Sequence, residues 1–147
     1  VAVSSGASKR ERITLEVVET LQGMVAPKPG IVSRDVLDPE NELSSAQFPA
    51  ISVQSADGEK APGAKGFYDA VLTITFEGFV KGPNDLDKKR NELIAGIERT
   101  LSLDITRKGL ATDTRFTGEA TDAGSASTDA AVLMVIEVDY TYEKGNP

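Results

Sequence analysis

The 147-residue chain contains no cysteine and no histidine. The first absence removes disulfides, thiolate metal sites and cysteine nucleophiles. The second removes the commonest general base and the commonest nitrogen ligand for transition metals. A Ser-His-Asp site and a histidine-based zinc site are therefore both excluded. Long apolar runs are missing as well. The longest, Ala130 to Ile136, is strand-sized and far short of the ~18 residues of a membrane-crossing helix. Val1 to Ser8 lacks the apolar core of a signal peptide, so export by that route is not expected. Positive charge is scarce: 16 Lys and Arg against 23 Asp and Glu leave a net charge of −7. Sequence-independent binding to phosphate backbones needs a clustered positive surface, which this balance opposes. An acidic chain can still surround DNA without gripping it.

What is present suits one domain over residues 1–147. A chain of this length buries roughly two-thirds of its unfolded surface and needs no covalent staple. Residues 1–7 read as a loose arm and Glu143 to Pro147 as a frayed tail. Ser8 followed by Glu11 has the form of a capping box. Ile13, Val17, Val18, Leu21 and Met24 then recur at helical spacing, which predicts a helix over Lys9 to Gln22 ended by Gly23 and Pro27. Ala26 to Phe48 is irregular and proline-punctuated, with Ile31 to Val36 suited to a short strand. Ala50 to Gln54 reads as a short strand and Ser55 to Gly66 as an exposed loop. Phe67 to Val80 is a long strand, with Tyr68, Ala70, Leu72, Ile74 and Phe76 on one face.

Asn84 is placed to cap a second helix with Asp85 and Asp87 in its first turn. Its apolar stripe is Leu86, Leu93, Ile94, Ile97 and Leu101. Thr112 to Thr117 reads as a strand and Glu119 to Asp129 as a polar hairpin tip. Ala131 to Tyr142 is a final long strand, with Val132, Met134, Ile136, Val138, Tyr140 and Tyr142 sharing a face. This order predicts an α+β fold: an antiparallel or mixed β-sheet, two main helices packed on one face, and long polar loops.

No motif carries chemistry. The three glycines of Gly58 to Gly66 lack the Gly-Lys-Ser/Thr ending of a phosphate loop and read as a hairpin. Asp35, Asp38, Glu40 and Glu42 lack the spacing and the glycine of a calcium loop, and read as a solvated acidic loop or one that meets a basic partner. The basic run at Lys9, Arg10 and Arg12 reads as a solvated first helical turn. Lys88, Lys89 and Arg90 have Asp85, Asp87 and Glu92 nearby for intrahelical pairs. Tyr68, Phe76, Phe116, Tyr140 and Tyr142 lie on strands without interleaved basic residues. That favours core packing over base stacking. No catalytic, cofactor-binding or metal residue is assigned, and no cofactor is expected.

The layout resembles the tail-terminator and tail-completion family of long-tailed phages. An amphipathic helix leads to a proline-punctuated segment and then to Phe-Pro-Ala-Ile-Ser-Val at Phe48 to Val53. A long strand follows, then a helix ending Leu93 to Leu103, a strand with Arg115 and Phe116, and a last long strand; the match runs over about residues 9 to 143. The resemblance implies a non-enzymatic virion protein, assembled in the host cytoplasm, that forms a hexameric ring at the head-proximal end of the tail tube. Its expected partners are other copies of itself, the tube protein and a neck or connector protein. DNA would be non-specific cargo in the channel, and no membrane is involved. Interface residues are expected in three polar loops: Asp35, Asp38, Glu40 and Glu42; Asp57, Glu59 and Lys60; and Glu119, Asp122 and Asp129. The alternatives are a head–tail joining protein of the same fold, a monomeric peptide-binding module that uses a sheet edge, and a small carboxylate enzyme.

Overall fold

The computed structural model of the chain describes residues 7–39, 41–122 and 129–147. Its elements are α1 (Lys9–Gln22), β1 (Ile31–Ser33), a short 3-10 turn (Ser45–Gln47), β2 (Ala50–Pro62), β3 (Phe67–Lys81), α2 (Leu86–Leu101), β4 (Asp113–Thr121) and β5 (Asp129–Glu143). The strands form a five-stranded sheet in the order β1-β2-β3-β5-β4. β1 runs parallel to β2, and the remaining pairs are antiparallel, so the sheet is mixed. With both helices packed on one face, the α+β architecture expected from the sequence is the one observed.

Ser8 starts α1 by accepting the Glu11 amide at 3.1 Å. Only that half of the capping box forms, because the Glu11 carboxylate takes the Arg34 guanidinium instead. Ile13, Val17 and Leu21 then lie fully buried along the inner stripe. The cap of α2 is Asp85, one residue later than the sequence suggested. Its backbone is left-handed, at φ 61°, and its side chain caps no helical amide. Leu93, Ile97 and Leu101, spaced by four, turn toward the sheet and are fully buried. Two glycines permit the close approach. A Cβ on Gly78 would stand 2.7 Å from Leu93, and one on Gly96 would stand 2.6 Å from the Ala26 carbonyl. α2 therefore sits directly on β3 and against the turn that follows α1.

The two-residue period of the strands decides which side chains fill the core. Ile51, Val53, Leu72, Ile74, Phe76, Val132, Met134, Ile136 and Val138 all face the helices and are at most 2% exposed. Each such burial is worth about 1.5–3 kcal/mol. On the opposite face Thr73, Thr75, Glu137 and Asp139 are partly exposed and Glu77 is exposed. Neither α1 nor α2 covers that face. Phe76, Tyr140 and Tyr142 belong to the core cluster, and Tyr68 and Phe116 pack against it.

Two segments differ from their sequence reading. Ser55 to Gly66 is not a loop, because β2 continues to Pro62 and only the turn before Phe67 leaves the ladder. A register shift between Ser55 and Gly58 lets the polar residues there keep pairing with β3. Likewise Glu119 to Thr121 belong to β4, beyond a second register shift between Phe116 and Gly118. Residues 123–128 of the expected hairpin tip, and residues 1–6 of the expected arm, lie outside the described residues. The carboxyl-terminal tail makes backbone bonds: Lys144 donates to Gly66 at 2.9 Å, and Lys9 donates to Pro147 at 3.1 Å. The peptides Ala26-Pro27 and Phe48-Pro49 are cis.

Two arginines tie these layers together from inside. Arg107, in the connection after α2, has left-handed φ of 50° and is fully buried. It pairs with Glu16 of α1 at 3.1 Å and donates to the carbonyls of Leu101 and Asp104, which closes the carboxyl end of α2. Arg90, also buried, reaches from α2 to the Asp122 carbonyl at 2.6 Å and to the Asp122 and Asp87 carboxylates.

Candidate functional site

The residues singled out from sequence fall in three separate places. Asp35, Asp38 and Glu42 lie between β1 and the 3-10 turn; Glu40 is outside the described residues. The loop is pinned at its base, where Ser52 donates to the Asp35 carbonyl at 2.7 Å. Asp38 organises the tip by accepting the Asn41 side-chain amide at 2.8 Å and the Glu42 amide at 3.0 Å. The second group, Asp57, Glu59 and Lys60, is exposed on β2 near the β2–β3 turn. The third group is Glu119 on β4, Asp122 just after it, and Asp129 at the start of β5. Asp122 faces its own chain, holding Arg90 and accepting the Ala131 amide at 3.2 Å.

The pairings Phe67 with Glu143 and Lys81 with Asp129 mark the two ends of the central strands. Glu59 is level with Val71, Glu119 with Phe76 and Asp129 with Lys81, so at ~3.3 Å per residue the third group lies about 17 to 33 Å from Glu59 along the strands. Glu59 and Lys60 line a shallow hollow with Asp69 and Asp139, but the structure spreads the three groups along one long sheet and does not bring them into a common pocket.

Reasoning from sequence missed the cations that lie on the tyrosines. Tyr68, Tyr140 and Tyr142 stack at one end of the core face, with ring centroids 5.5 Å and 6.0 Å apart. Lys60 stands 5.2 Å above the Tyr142 ring and Lys144 stands 5.2 Å above Tyr68. Alternation continued past Gln54 would turn Lys60 to the open face; the register shift between Ser55 and Gly58 brings it beside Ala70 and Tyr140 instead, and no local pattern announces that shift. The Tyr142 hydroxyl raises the Lys60 pKa above 10.5, and burial raises that of Tyr140 above 10.0. Both groups therefore hold their protons at neutral pH, and neither is poised as a base. Among the described residues no three acidic side chains gather in a geometry that could hold a metal ion. No helix of those residues is long and apolar enough to cross a membrane.

A further surface feature lies elsewhere. A groove of about 330 Å³ opens between the Phe48-Pro49 segment, the end of β3 and the first turns of α2. Its walls are Pro27, Phe48, Pro49 and Val80, with Lys81 and Lys89 at the rim. Four separate stretches of chain meet there, which no local sequence pattern announces.

No family model and no curated protein matches the chain. Among solved structures it is similar to a chain of the virion of a native gene transfer agent particle. The TM-score is 0.46 at 9% identity, over 95% of this chain and 96% of that one.

Proposed function

We propose that this chain is a structural subunit of a phage-type virion and, more finely, that it forms a hexameric ring on the head-proximal end of the tail tube. The ring ends tube growth and joins the tail to the neck, and DNA passes through it without base-specific contacts. One observation carries the reading. The sheet has an unpartnered edge on each side, with charged groups at both of its ends. β1 pairs only with Ala50 to Ser52, so β2 from Val53 onward has no outer strand partner among the described residues, and β4 is the opposite edge. Two different edges suit a head-to-tail contact, and such contacts form a ring when the rotation between copies closes. The two charged ends then face a tube on one side and a neck on the other. The order of elements is also the one on which the tail-terminator resemblance rests.

Native mass measurement on the purified chain, alone and mixed with tube protein, tests the reading. The expected result is a hexamer that caps tubes and binds duplex DNA weakly, since few phosphates are neutralised and little counterion is released. A strict monomer that leaves tubes growing, or tight salt-sensitive DNA binding, overturns it. Twelve-fold rings on a connector move it to the neck.

A further inference from the structure

We infer that the groove between Phe48, β3 and α2 receives the Asp35-Val36 loop of a neighbouring copy of this chain. The inference rests on the ring reading in needing a second copy, and it names the contact. The groove pairs an apolar floor with two ammonium groups. Lys81 Nζ lies 5.4 Å from the Phe48 ring centroid, and Lys89 donates to the Lys81 carbonyl at 3.0 Å. Neither lysine is ion-paired to a carboxylate among the described residues. Glu92, which also lines the groove, stands 3.9 Å from Lys88. In a chain of net charge −7, a hollow of this kind fits an aliphatic side chain with a carboxylate beside it.

The loop after β1 offers that pair. Val36 is 75% exposed, and among the described residues no side chain covers it. The adjacent Asp35 is exposed, and its carboxylate accepts no hydrogen bond among the described residues. The base of the loop is fixed by Ser52 on the Asp35 carbonyl and by the Arg34–Glu11 pair, so little ordering remains to be done on binding. A second candidate occupant is Leu103, which is 85% exposed and next to Asp104. The Asp104 carboxylate is already committed, accepting the Thr106 amide at 2.9 Å, the Thr106 hydroxyl at 2.6 Å and the Lys108 amide at 2.9 Å. Asp35 is not, and that difference selects the β1 loop. The loop leaves the β1 edge while the groove opens at the end of β3. The contact is therefore between unlike surfaces, and it repeats in one direction around a ring.

The absence of native cysteine makes the test direct. The full chain carrying Val36→Cys and Lys89→Cys is oxidised, beside a control with Leu103→Cys and Lys89→Cys. The expected result is a ladder of inter-chain disulfides with the Val36→Cys pair and none with the control. In parallel, Lys81→Glu with Lys89→Glu should raise the concentration needed for assembly about tenfold or more, the effect of ~1.4 kcal/mol. An equimolar mixture of that variant with Asp35→Lys should restore assembly, since each new charge then meets its opposite on the next copy. Rings of native mass that give no ladder, or a ladder only with the Leu103→Cys pair, overturn the groove assignment and leave the ring standing. A chain that stays monomeric at every concentration overturns both.

Discussion

Arg107 and Arg115 each pair with carboxylates, one within the helical layer and one on the open face of the sheet. Arg107 is 0% exposed and Glu16 7%. Arg115 is 41% exposed and bonds Asp139, itself 29% exposed, with Glu137 at 3.7 Å. The chemistry is the same and the surroundings are not. Inside, the guanidinium has lost its water, so its ion pair and the carbonyls of Leu101 and Asp104 must together replace that solvation. On the open face water screens the pairing and competes with it. The covered side is where this fold is held. The open side is free to carry charge at little cost to stability.

Removing the buried charge partner should break this contrast most. Arg107→Ala is expected to destabilise the chain by about 3–5 kcal/mol, read from the denaturant midpoint. Replacing Arg107 and Glu16 together by apolar residues should not restore stability, because the buried Leu101 carbonyl would lose the donor it has here. Full recovery would show that the ion pair alone mattered. Next in size come Leu72→Ala and Ile136→Ala, at about 2–5 kcal/mol each. Val135→Ala, one residue from Ile136 but on the open face, should cost less than about 1 kcal/mol. Equal losses at 135 and 136 would mean that the faces are misassigned.

Arg115→Ala should cost only about 0–1 kcal/mol, and less as salt is added. A loss as large as that for Arg107 would end the comparison.

The smallest effect concerns Asp104. The Thr106 hydroxyl, then the amides of Lys108 and Thr106, hold its carboxyl below the ordinary value of 3.8. Its folded pKa is depressed, so its contribution is present above the unfolded value and is lost as pH falls through the folded one. The window therefore lies in acid below 3.8. Asp104→Asn should flatten stability there, and an NMR titration midpoint at or above 3.8 would contradict the bonding described.

The sequence was most legible where one face of an element is buried. The bounds of α1 follow from Ser8 and the spacing of Ile13, Val17 and Leu21, and the inner faces of β3 and β5 follow from strict alternation. It was least legible where neither face is covered. Asp57, Glu59 and Lys60 look like loop because that part of β2 extends past the helices, where alternation has no core to report. Arg90 and Arg107 look like surface residues. Their burial depends on Asp122 and Glu16, residues distant in sequence that no local pattern connects to them. Of the candidate surfaces, the charged groups at the two ends could be read from polarity alone. The groove could not, since it is made by four segments meeting.

The two register shifts have a consequence for chain length. Between the pairs Ser55–Ile74 and Gly58–Leu72, β2 carries two residues opposite one, and Thr117 on β4 has no partner between Phe116–Ile136 and Gly118–Val135. Deleting Asp57 or Thr117 would leave an unbroken ladder with every flanking side chain on its present face. Deleting Val135 instead would turn half of β5 inside out, since a one-residue slip exchanges the faces of a strand. These two positions are where the chain can lose a residue without inverting a strand.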